Sequence, residues 1–188
     1  EEALRALACL PSTRETTEAE IDLRTALRPA LLQLGRLDEV FAISKQVEQL
    51  ALQLGDQQRL ARAYTYLINY HYLKGETALT IDYGARCIAI AEACEDTAIQ
   101  ALARQYMGQS YHARGEYRLA ERELDRNIGT SHPSSSVTPY VSSCAWLAFS
   151  LAERGEFDTA ARYAHDAQQS AETSGHVNAR GLLPLVDA

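Results

Sequence analysis

The side chains that could carry chemistry in this sequence are five histidines, four cysteines and a large stock of carboxylates. His71, His112, His132, His165 and His176 include no pair at helical metal-ligand spacing with a carboxylate between them. Cys9, Cys87, Cys94 and Cys144 form neither a zinc spacing nor a Cys-x-x-Cys pair, and Cys87 and Cys94 lie too far apart on one helix for a disulfide. Four reduced, buried thiols are therefore expected, in a cytoplasmic protein. No Ser/His/Asp order, glycine-rich phosphate loop or Lys-Ser/Thr pair can be assembled. The carboxylates fall at helix starts and on outer faces, where dipole and solvation account for them. These readings argue against catalysis in this chain and call for no cofactor and no metal.

Behind those residues lies a repeat. Gly35, Gly75, Gly115 and Gly155 are spaced by 40 residues, in the phrases Leu34-Gly35-Arg36-Leu37, Lys74-Gly75-Glu76-Thr77, Arg114-Gly115-Glu116-Tyr117 and Arg154-Gly155-Glu156-Phe157. A period of that size marks supersecondary units that cannot bury their apolar faces alone. With the glycine placed at position 15 of each unit, position 7 reads Leu27, Leu67, Met107 and Leu147, and position 11 reads Leu31, His71, Tyr111 and Leu151. Position 8 holds Arg28, Ile68, Gly108 and Ala148, and position 20 holds Val40, Thr80, Ala120 and Ala160. Spacings of three and four on both sides of the glycine describe two amphipathic helices, with small residues where the backbones approach. The glycine suits the left-handed turn between them.

The unit running from Gly108 through Tyr111, Gly115, Tyr117 and Ala120 to Leu124 resembles the tetratricopeptide repeat family. The resemblance covers about residues 20–175. It implies an all-α, tetratricopeptide-like right-handed superhelix of antiparallel helix pairs, an α-α solenoid. The familiar repeat is 34 residues, so the longer period here implies longer second helices, Leu37 to Leu54 and Ala78 to Cys94, and longer links. The units are 21–60, 61–100, 101–140 and 141–175, after an N-terminal capping segment 1–20 and before the truncated start of a fifth unit at 176–188. The first unit departs most, with Arg28 at the close-approach position and Pro29 expected to kink its first helix. Thr130 to Pro139, rich in Ser and Pro, reads as a surface loop.

A narrower resemblance rests on Leu10-Pro11-Ser12-Thr13-Arg14-Glu15-Thr16, Ala19 to Arg24, Leu27 to Leu31, Tyr106 to Tyr111 and Ala145 to Ala148. These phrases look like the repeat region that lies C-terminal to an ATPase-like module in bacterial class III adenylate or guanylate cyclase homologues. The chain holds none of the cyclase or nucleotide-binding motifs, so the resemblance implies a larger signalling parent and no reaction.

In the tetratricopeptide fold the first helices line a concave surface, and positions 2, 5, 6, 9, 12 and 13 point into it. The resemblance thus implies a groove of Arg62, Tyr66, Asn69, Tyr72, Gln105, Tyr106, Gln109, His112, Trp146 and Phe149, with Thr65, Leu73, Leu102, Ala113, Ser142, Ala145, Ala152 and Glu153 beside them. Aromatic anchors among amides suit an extended peptide or a helix. The implied partner is a protein or peptide segment, other domains of the parent, or a second copy in a homodimer. The alternatives are a small-ligand sensor built on Tyr66, Asn69, Tyr106, Gln109 and Trp146, and a structural spacer whose groove is filled by its own side chains. The lysines of the chaperone-binding carboxylate clamp are absent, which disfavours a chaperone tail.

Composition narrows the partners further. A formal charge of −7 argues against a nucleic-acid backbone. No run of about 18 apolar residues offers a membrane span. The start without methionine or signal peptide is that expected of a piece of a larger protein.

Overall fold

The computed structural model describes residues 2–130 and 137–174, and every regular element within them is an α-helix. A short α1 (Glu2–Leu7) precedes four helical pairs: α2 (Arg14–Gln33) with α3 (Leu37–Leu54), α4 (Gln57–Leu73) with α5 (Thr77–Ala93), α6 (Thr97–Ala113) with α7 (Tyr117–Thr130), and α8 (Val137–Glu153) with α9 (Phe157–Ser174). Each helix packs on the next, and α4 also packs on α6 and α6 on α8. The result is an α-solenoid-like stack in which the first helices of successive units lie side by side.

The recurring glycine turns each pair. Gly75 has φ 72°, its N–H donates to the Tyr72 carbonyl at 3.0 Å, and the Glu76 N–H donates to the His71 carbonyl at 2.8 Å. Those two bonds satisfy carbonyls that a helix end would otherwise orphan. Gly35, Gly115 and Gly155 repeat the geometry. Links between pairs use the same turn and add a side-chain cap. Gly55 and Glu95 take the left-handed conformation, and Asp56 and Asp96 then cap α4 and α6 by accepting from the Arg59 and Ile99 N–H groups at 2.9 and 3.0 Å.

The periodic positions form the core. Leu67, Ile68, Val40, Val47, Leu124 and Leu147 are all at most 1 % exposed, and full burial of each such side chain contributes about 1.5–3 kcal/mol. Gly108 sits where any Cβ would collide with Leu124 on α7, and Gly84 where one would collide with Met107 on α6. Polar groups tie the layers where carbon does not. Asn127 donates to the Ala101 carbonyl at 3.0 Å and to Ser143 Oγ at 2.8 Å, while buried Arg104 bridges Glu123 at 3.0 Å and Glu92 at 2.7 Å. His71 is a packed histidine, stacked on Tyr83 at 5.4 Å with Nδ1 against Glu76 at 2.6 Å.

Several expectations are corrected. Two cysteines, Cys9 and Cys94, are exposed; only Cys87 and Cys144 are buried, and burial pushes both of those thiols up to about 12. α2 continues past Pro29 to Gln33, which fixes where the helix ends and says nothing against the expected kink; the proline is exposed, where water can serve the carbonyl its ring leaves free. α2 also begins upstream of position 21, because Thr13 caps it in a reciprocal pair with Thr16. Thr138 and Pro139 belong to α8 and not to a loop, since proline is tolerated in a first turn whose N–H groups have no helical partner. Thr130 likewise ends α7 and Val137 opens α8, while 131–136 and the segment 176–188 lie outside the described residues.

Candidate binding face

The side of the stack formed by α2, α4, α6 and α8 carries two groups of polar aromatics. The first spans three units. The Arg28 guanidinium lies over the Tyr66 ring, 4.5 Å from its centroid, and its Nη2 donates to Asn69 Oδ1 at 2.8 Å. Asn69 in turn donates from Nδ2 to the Tyr106 hydroxyl at 2.9 Å. The Tyr106 ring meets Tyr72 at 4.9 Å. A chain of contacts thus runs Tyr66–Arg28–Asn69–Tyr106–Tyr72 across α2, α4 and α6.

Burial sets the electrostatics of this group. It lowers the Arg28 pKa, an effect that Tyr66 and Tyr106 partly oppose. It raises Tyr106, against the pull of the Asn69 hydrogen bond and of Arg28, and it raises Tyr72. Arg28 Nε is sealed from water with no hydrogen-bond partner. Among the described residues no carboxylate pairs with this guanidinium.

The second group joins α6 to α8. His112 meets Trp146 edge-on at 5.1 Å and Phe149 at 6.4 Å, and Trp146 meets Phe149 at 5.7 Å. Ser150 gives its one hydroxyl proton to the Trp146 carbonyl at 2.9 Å, so it accepts at 3.0 Å from His112 Nδ1, which fixes the proton on that nitrogen. Burial lowers the His112 pKa, and Glu153 opposes it.

The residues read from the sequence fall out unevenly. Tyr66, Asn69, Tyr72, Tyr106, His112, Trp146 and Phe149 are half-buried and joined as above, Gln105 is half-buried, and Arg62 is exposed. Gln109 is a correction: it is 4 % exposed and its amide donates to Ser142 Oγ at 2.9 Å, so it bonds α6 to α8 and presents nothing outward. Thr65, Ser142 and Ala145 are likewise buried. Tyr106 and Trp146, which share position 6, make their ring contacts with other residues and not with each other. Arg28 is absent from the residues read for the face. It stands at position 8, the close-approach column it fits least, and its long side chain carries the charge onto the face of the next unit.

Elsewhere the described residues offer no group of three or more His, Cys, Asp or Glu side chains fit to hold a metal ion. None of the described helices is long and apolar enough to cross a membrane. No protein-family model matches the chain, and no curated protein matches it.

Proposed function

We propose that this chain is a non-catalytic, tetratricopeptide-like interaction module, a right-handed stack of helical pairs that holds a protein or peptide segment on its first-helix face. The observation that carries the reading is the band of half-buried aromatic and amide side chains along α4, α6 and α8: Tyr66, Asn69, Tyr72, Tyr106, Trp146 and Phe149. Large aromatics that are neither sealed in a core nor fully solvated are the residues that dominate binding when a partner completes their burial. The resemblance noted above supports a signalling parent of adenylate or guanylate cyclase type, in which the bound segment, or the parent's own domains, shifts a conformational equilibrium by its differential affinity.

One observation favours a second reading, a structural spacer. The Asn69–Tyr106 bond and the His112–Trp146–Phe149 contacts already fill part of the face.

Alanine substitution separates the two. Under the binding reading, Tyr106→Ala and Trp146→Ala each abolish partner capture by the full chain while helicity by circular dichroism stays nearly intact. Melting of the array with no partner effect would establish the spacer instead.

A further inference from the structure

The guanidinium of Arg28 differs from those of the other described arginines that are not exposed. Arg24, Arg59, Arg104 and Arg154 all pair with carboxylates. Arg28 pairs with none among the described residues, although it is half-buried and one of its nitrogens is sealed without a partner. Removing a cation from water without a counter-charge is costly, because the lost hydration is not replaced. Tyr66 and Asn69 recover part of it through a ring face and a neutral amide oxygen. They also hold the planar fork in place from two sides. The sealed Nε is out of reach, but Nη1 is neither sealed nor bonded, so the outer edge of the fork, Nη1 with Nη2, is short of an anionic acceptor and suits a carboxylate, whose two oxygens match parallel donors. Exposed Arg62 stands one helical turn before Tyr66 on α4 and adds a second positive charge. A recess beside it is lined by Ile21, Asp22, Thr25, Val47, Arg59, Arg62 and Tyr66. Asp22 there is an opposing charge, drawn toward Arg59 at 3.5 Å.

We infer that Arg28, braced by Tyr66 and Asn69, is a binding site for an aspartate or glutamate side-chain carboxylate of the segment that docks on the first-helix face. This deepens the interaction-module reading and rests on it for the source of the carboxylate. A net acidic protein that keeps an unpaired arginine on its aromatic face is thereby selective for acidic segments at that one point, and repels them elsewhere.

The test follows the side-chain amide resonances of Asn69, whose oxygen accepts from Arg28, in the full chain by NMR during titration with N-acetyl-aspartate methylamide. The expected result is a saturable shift that the asparagine analogue does not produce, and that Arg28→Lys weakens about tenfold or more because a point charge lacks the fork. Arg62→Met, which leaves the braced fork untouched, is expected to weaken it only a few-fold. Absence of a saturable shift overturns the site, as does an equal shift with chloride or inorganic phosphate, which would mean an adventitious ion only. The outcome is separable from the module reading. A face that captures a protein partner while ignoring the aspartate probe refutes the site alone, and a face that binds the probe but captures no protein refutes the module alone.

Discussion

Asn69 on α4 donates a hydrogen bond to the Tyr106 hydroxyl on α6 at 2.9 Å, across the joint between two consecutive units. The same amide accepts from Arg28 on α2 through its oxygen, so one side chain links the first helices of three units. Tyr106→Phe removes the hydroxyl and is expected to lower stability by about 1 kcal/mol. Asn69→Ala also strips Arg28 of its acceptor and is expected to cost more. A double-mutant cycle read by urea unfolding gives the coupling, and additive effects would show that the bond does not join the units.

The two helical glycines differ in what they touch, and so should their variants. Gly108→Ala drives a methyl into Leu124, which is fully buried and branched. A loss of roughly 1–3 kcal/mol is expected from overpacking, and more for Gly108→Leu. Gly84→Ala meets the unbranched side chain of Met107, which can shift, and helix propensity offsets the crowding by up to about 1 kcal/mol. A smaller loss than at Gly108 is expected. Thermal melts that rank the two in the opposite order would refute this packing.

Glu95 has φ 56°, the position that Gly55 fills with φ 65° one unit earlier. A side chain in the left-handed region costs about 1 kcal/mol or more. Glu95→Gly is therefore expected to raise stability by up to about 1 kcal/mol, or roughly 2–4 °C in Tm for a chain of this size. An unchanged or lower Tm would mean that Glu95 is not strained.

The repeat, its glycine turns and its core were legible because each rests on a local rule. Positive φ at the recurring glycine and spacings of three and four are properties of the chain itself, and positions 7, 11 and 20 are buried almost throughout. The face was only partly legible, because each of its side chains is assigned by a neighbour about 40 residues away. Asn69 and Gln109 share position 9. Asn69 meets Tyr106 and stays at the surface, whereas Gln109 meets Ser142 and is buried. Arg28 left one signal, its misfit in a column otherwise made of Ile68, Gly108 and Ala148. That misfit marked a departure from packing without showing where the charge would go.

Acid should act on the cap of α4. The Asp56 carboxylate accepts from the Arg59 backbone N–H and from its guanidinium, and both bonds hold its pKa below the ordinary carboxylate range. A depressed folded-state value means that the unfolded chain binds the proton more readily. The stabilisation is therefore full above the unfolded value near 4, and is lost as pH falls through the folded value. Asp56→Asn keeps the capping oxygen and loses the charge. Its deficit relative to the parent sequence is expected to shrink between about pH 5 and pH 2. A deficit independent of pH would remove Asp56 from the acid response.

Site-specific photocross-linking tests the module reading most directly. A benzophenone amino acid is placed at Tyr66 or Phe149 on the first-helix face, or at Arg86, which is exposed on the second helix α5. The account predicts covalent capture of a protein or peptide segment from positions 66 and 149, and none from position 86. Capture from position 86 alone, equal capture from all three, or none from the first-helix face would contradict it.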